Sequence, residues 1–147
     1  VKKMDEGQVD AGRLYIIVYD KMQDLTLSAG ILSKACTDHL INHHEIPNRN
    51  YLDILVEVDN KLNSYLNKII KAIETLQFEN HEQIATEGMK FVDFVNENID
   101  AQIAVIQQGE ISSRNGLLQM RILLEAIEIV ESSGKIMDVY VDYARKE

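Results

Sequence analysis

The chain has 147 residues, the size of one ordinary domain, and 46% of them are apolar, enough to bury a core without disulfide or metal staples. A formal net charge of −9 argues against nucleic-acid phosphate or an anionic membrane surface as partner. One proline, seven glycines and 6% aromatics, with no apolar run near the roughly 20 residues of a membrane span, point to an all-α fold of long helices.

The first residues, Val1 to Gln8, are polar and read as a frayed end without a signal-peptide core. The first helix is expected from about Asp10 to His44, with the seam Val18, Met22, Leu25, Ala29, Leu32, Cys36, His39, His43. Those steps alternate four and three, the period of a bundle helix. Cys36 has no second cysteine to pair with and reads as a small buried residue of that seam. Ile46-Pro47-Asn48 stops the helix, because proline lacks a donor and pushes its neighbour out of the α region.

Asn50 is the expected cap of a second helix reaching about Gln77, with the seam Leu52, Leu55, Asp59, Leu62, Leu66, Ile69, Ile73, Leu76. The tight link Phe78-Glu79-Asn80 leads to a third helix over about His81 to Gln108, capped by Asn80. Its inward positions are Ala85, Met89, Val92, Ile99, Ile103 and Ile106, and Gly109 is the stop. Ser112 or Ser113 caps a fourth helix reaching about Arg145, with the seam Gly116, Met120, Leu123, Ile127, Val130, Gly134, Met137, Val141. Short connections between long helices force antiparallel neighbours. The expected architecture is an antiparallel up-down four-helix bundle, with residues 1–147 as one domain.

His39 and His43 stand one turn apart, a spacing that can hold zinc or iron. Near a helix C-terminus the same side chains more often cap orphan carbonyls and meet the dipole. Asp20 and Asp24 also lie four apart, either as a solvated pair beside Lys21 or as half of a hard-cation site. In the fourth helix Arg121, Glu125, Glu128, Ser132 and Lys135 form a polar stripe that reads as the outer face. Arg121–Glu125 and Glu131–Lys135 are its expected ion pairs. Asp59 interrupts an apolar seam, so it either meets a histidine of the first helix or marks where the seam reaches solvent. Catalytic constellations are missing from the sequence: no Glu-x-x-His, no His-Glu-x-x-His, no glycine-rich phosphate loop and no Gly-x-Ser-x-Gly. The chain is therefore expected not to be an enzyme. Cationic residues do not cluster along it, so no phosphate pocket is expected.

Two segments resemble a known family. Asp38-His39-Leu40-Ile41-Asn42-His43-His44, closing a long helix ahead of Pro47, is similar to a His-x-x-Asn-x-His pattern of sodium/phosphate cotransporter-related proteins, matched by His39, Asn42 and His44. Tyr19-Asp20 and Asp24 stand where such proteins carry acidic residues in a Tyr-rich helix. Gly109-Glu110-Ile111-Ser112, then Gly116-Leu117-Leu118 and a long helix, looks like the last helix of a PhoU-like domain.

The resemblance implies a PhoU-like, non-catalytic regulatory domain at the cytoplasmic side of the inner membrane, modulating phosphate transport. The chain would be the C-terminal fragment of a longer membrane protein, and its partner that protein's membrane-spanning region. Pairing of long bundles about a two-fold axis makes a homodimer a further expectation. PhoU-like proteins bind metal clusters through Glu/Asp-x-x-x-Asp pairs on facing helices. Asp20 and Asp24 match the first pair; the second falls on Ile127, which cannot ligate, and Glu131, with Glu128 beside them. The implied cofactor is a divalent or ferric ion at Asp20, Asp24, Glu128 and Glu131, and the candidate binding residues are His39, Asn42, His44 and Asp59. The competing readings are a stand-alone helical adaptor with an apolar groove, and a metal-binding helical bundle.

Overall fold

A computed structural model describes residues 6–42, 49–109 and 113–145. These form four helices: α1 (Glu6–Ile41), α2 (Arg49–Thr75), α3 (His81–Gln107) and α4 (Ser113–Ala144). No strand occurs among the described residues. His43, His44, Pro47 and Ser112 lie outside them. Gly109 ends α3 at φ +73°, its N–H donating to the Ile106 carbonyl at 3.1 Å, the left-handed stop anticipated there.

Asn80 does not cap α3 with its side chain. The turn is fastened by His81 instead. Its Nδ1 bonds the Phe78 carbonyl at 2.8 Å, and Arg145 donates to Nε2 at 3.1 Å. A carbonyl on Nδ1 and a guanidinium on Nε2 select the neutral Nδ1–H tautomer. The α2–α3 turn is thereby tied to the end of α4.

Helices α2, α3 and α4 pack around a common core centred on Val95, Leu123, Ala126, Val130 and Met137. Helix α3 packs on both α2 and α4, and those two also touch each other. Lys61 and Lys68 of α2 meet Phe94 and Glu87 of α3, while Gly116 at the start of α4 abuts Ile106 near the end of α3. Helix α4 touches all three others. Helix α1 lies along α4 and, among the described residues, packs on neither α2 nor α3.

Three of the four seams differ from expectation. Helix α2 buries Ile69 as expected, but also Tyr51, Val58, Tyr65 and Ala72, one residue before the Leu52, Asp59, Leu66, Ile73 line, of which Leu52 and Asp59 are exposed and Leu66 and Ile73 half-buried. Helix α3 buries Ile84, Gly88, Phe91, Val95, Ile99 and Gln102, leaving Met89 and Ile103 exposed. Helix α1 turns Val18, Lys21, Leu25, Ser28, Leu32, Ala35 and His39 toward α4. Met22, Ala29 and Cys36 consequently face solvent, and the expected burial of Cys36 is corrected. The α4 seam is buried or half-buried as anticipated, but Ser132 is only 2% exposed, so the polar stripe is not wholly an outer face. Neither Arg121–Glu125 nor Glu131–Lys135 forms among the ion pairs of the described residues.

Candidate functional site

The carboxylates proposed as metal ligands separate into two groups. Asp20 and Asp24 flank Lys21, whose ammonium lies 3.6 Å from Asp20 and 2.7 Å from Asp24. The Asp24 hydrogen bond raises the Lys21 pKa above the ordinary lysine value; desolvation opposes it, and the charges of Asp24, Asp20 and Glu128 reinforce it. Lys21 therefore takes the place a cation would occupy among Asp20, Asp24 and Glu128. Glu128 also accepts a hydrogen bond from Ser132 at 3.2 Å. Glu131 stands apart, lining a cleft on the α3 side of α4 with Asp93, Lys135 and Asp138. Among the described residues no group of three or more His, Cys, Asp or Glu side chains is placed to hold a metal ion.

Asp59 is exposed and accepts from Asn63 at 3.0 Å, one turn along its own helix. Of the two alternatives left open for it, the solvent-facing one holds. With α1 packed on α4 rather than α2, Asp59 belongs to no common site with His39 and Asn42.

His39 and Asn42 do come together, and with partners that sequence reasoning had not joined to them. The last turns of α1 and the first turns of α4 enclose a cleft of about 430 Å³. Asp38, His39 and Asn42 enter from α1; Arg114, Leu117, Leu118 and Arg121 enter from α4. Arg114 and Arg121 are two helical turns apart and so project from one face. The Asn42 amide donates to the Asp38 carbonyl at 2.7 Å, finishing the last turn of α1. The Asp38 carboxylate is paired with Lys34 at 3.0 Å. Among the described residues neither arginine has a hydrogen-bond or ion-pair partner. The seven-residue spacing of Arg114 and Arg121 was readable in the sequence; their position opposite His39 was not.

Behind the cleft lies a buried polar layer. Gln119 is 2% exposed and Gln102 is 4% exposed. Neither amide atom of Gln119, nor Gln102 Nε2, has a partner among the described residues. Gly116 lets α3 approach here, since a Cβ on it would fall 2.7 Å from Ile106 Cδ1 and 3.9 Å from Gln102 Nε2. Below the cleft, toward the middle of α1, the groove changes sign: Asp24, Glu125 and Glu128 line it with Leu27, Ile31 and Leu124. The described parts of the two segments that carry the family resemblance, Asp38, His39 and Asn42 on one side and Leu117 and Leu118 on the other, line the same cleft. In comparisons with known proteins, no family model, curated sequence or solved structure matches the chain.

Proposed function

We propose that the chain is a non-catalytic, PhoU-like regulatory domain of a sodium/phosphate cotransporter-related protein. It would work by docking against that protein's membrane-spanning region on the cytoplasmic side. An up-down, PhoU-like arrangement of the four helices is part of this reading. No helix of the described residues is long and apolar enough to cross a membrane, so the spanning part would lie elsewhere in the protein.

The observation that carries the proposal is the second apolar side of α1. Tyr15, Ile16, Tyr19, Met22 and Leu40 are each more than half exposed. At 100° per residue they fall on the side of the helix opposite Lys21, Ser28 and Ala35. A helix apolar on opposite sides needs two partners, and among the described residues α1 packs on one, α4. The cluster of Tyr15, Ile16, Tyr19 and Met22, with Leu40 nearer the end of the helix, is exposed apolar surface of the kind that marks an interaction site. An effector modulates transport only if it binds one docked state better than another.

The first test is the reading frame that precedes Val1: absence of apolar spans there sinks the fused-transporter version. The second is phosphate uptake by the parent protein carrying Tyr15→Gln/Tyr19→Gln, which should differ from wild type while expression is unchanged. The rival occupant of the α1 face is a second copy of the chain. A two-fold dimer that persists in the parent protein and leaves uptake insensitive to these substitutions would favour it.

A further inference from the structure

We propose that the cleft between the end of α1 and the start of α4 binds a phosphate-class oxyanion, gripped by Arg114 and Arg121. The cleft carries an excess of positive charge in an acidic chain. Among the described lining side chains Arg114 and Arg121 stand against Asp38, an excess of one positive charge, where the chain as a whole carries −9. Two other clefts are lined by lysine and carboxylate without arginine. Lys135 shares its cleft with Asp93, Glu131 and Asp138. In another, Lys61 and Lys90 stand against Glu87, an equal excess of charge, but Lys61 is paired with Glu57 at 3.4 Å and neither lysine offers a guanidinium fork. The anionic group of the α1–α4 cleft, Asp38, is already held by Lys34, so it does not compete for the arginines.

The donor set favours a doubly charged tetrahedral group. Each guanidinium offers a planar fork of N–H donors matched to oxyanion geometry. Two forks from one helix face approach from different directions, and a phosphate presents acceptors to both. A monocarboxylate satisfies one fork and carries half the charge. Asn42 Nδ2 donates one hydrogen to Asp38 and retains a second. Ala35 and Leu118, both half-buried, make part of the wall apolar and limit competing water. Helix dipoles contribute little to the sign, because the positive start of α4 stands beside the negative end of α1; the arginine pair decides it. At about 430 Å³ the cleft has room for a substituent on the phosphate as well. Free phosphate and the phosphate headgroup of a lipid share this chemistry.

The site stands on its side chains and does not rest on the docking proposal; oxyanion binding without docking, or docking without oxyanion binding, separates the two. The test titrates inorganic phosphate into the 147-residue chain by calorimetry. Vesicles of phosphatidylcholine containing phosphatidic acid are assayed in parallel. Arg114→Gln or Arg121→Gln should weaken binding about tenfold, and the double variant about a hundredfold. Both arginines are exposed, so the fold should be retained; Arg114→Lys/Arg121→Lys, which keeps charge and loses the forks, takes over if the glutamine pair unfolds. Phosphate bound by wild type and lost in the variant supports the site with free phosphate as ligand. Vesicle binding alone, lost in the same variant, supports it with a headgroup as ligand. No binding of either probe, or binding that the double variant leaves intact, overturns it.

Discussion

Tyr65 shows how one side chain sets the fit between three helices. It projects from α2 and is 4% exposed, with its ring against Gly88 of α3 and its hydroxyl against Gly134 of α4. The hydroxyl donates a long bond, 3.4 Å, to the Val130 carbonyl. A Cβ at Gly134 would meet only the hydroxyl oxygen, at 2.9 Å, whereas one at Gly88 would also meet ring carbons at 3.1 Å. Overpacking typically costs about 1–3 kcal/mol, and Gly→Ala in a helix gains about 1 kcal/mol. Gly134→Ala is therefore expected to be neutral to destabilising by about 2 kcal/mol in wild type, and stabilising by about 1 kcal/mol when Tyr65→Phe removes the oxygen. Gly88→Ala should stay destabilising in both backgrounds. Urea denaturation of the four variants and their parents gives the coupling, and equal effects of Gly134→Ala in both parents would disprove the contact. The same hydroxyl titrates abnormally. Desolvation, helped by the Asp138 charge and opposed by a Ser133 hydrogen bond, pushes its pKa up to about 12 from 10.0. The folded state thus keeps a proton that the unfolded state begins to lose near pH 10. Stability is fully present below about pH 10 and falls as pH rises toward 12, by about 2–3 kcal/mol at most. Tyr65→Phe should remove that component of the alkaline loss, seen as a flatter difference curve against wild type between pH 9 and 12.

At the scale of the helix, the sequence announced the elements more clearly than their orientation. Breakers and short polar links placed all four helices within a few residues, although Asn80 does not cap α3 with its side chain and Asn50 lies inside α2. Seams depend on what lies across from them. In α2 the line through Leu52, Leu66 and Ile73 looked more apolar than the true one through Tyr51, Val58, Tyr65 and Ala72, since tyrosine is an ambiguous core residue. In α3, Gly88 and Gln102 disguised the buried line. Helix α4 was legible because it is the hub and nearly every inward choice is correct. Helix α1, apolar on opposite sides, allowed more than one solution, and the period alone selected a line lying between them. Its packing against α4 also differs from that of the other helices. Ser28 is its buried residue among those described, and Lys21, Asp24 and His39 take seam positions where α2 and α3 place mostly apolar groups. Little apolar area is fully removed from water along this contact, so α1 should open in a sub-global step below the global unfolding free energy. Native-state hydrogen exchange should show amides of α1 exchanging well before those around Val95 and Leu123. Exchange of α1 at the global rate would refute this ordering.

For the whole molecule, the decisive feature is that α1 packs on α4 alone among the described residues and keeps its outer side exposed. The candidate cleft follows from the same arrangement. Arg114 and His39 are 75 positions apart in sequence and meet only because α1 lies antiparallel along α4, so no local pattern could join them. Of the residues that the resemblance to PhoU-like domains implied, His39 and Asn42 line the α1–α4 cleft, Asp59 is exposed on α2 and Glu131 lines another cleft. The outer side of α1 makes a prediction of its own. Tyr15 and Leu40 are each 72% exposed and Tyr19 is 55% exposed, so polar replacements there remove apolar surface without opening the core. Surface changes of this kind usually shift stability by about 0.5 kcal/mol or less each. The Tyr15→Gln/Tyr19→Gln/Leu40→Gln chain should then keep a thermal midpoint within about 5 °C of wild type. Wild type should bind a hydrophobic dye and sediment faster as its concentration rises, because exposed apolar area drives association. The triple variant should lose both properties together. If instead the midpoint collapses, these side chains belong to the core and α1 packs on its other side; if dye binding and sedimentation do not change, the outer face of α1 is not the surface through which this domain meets a partner.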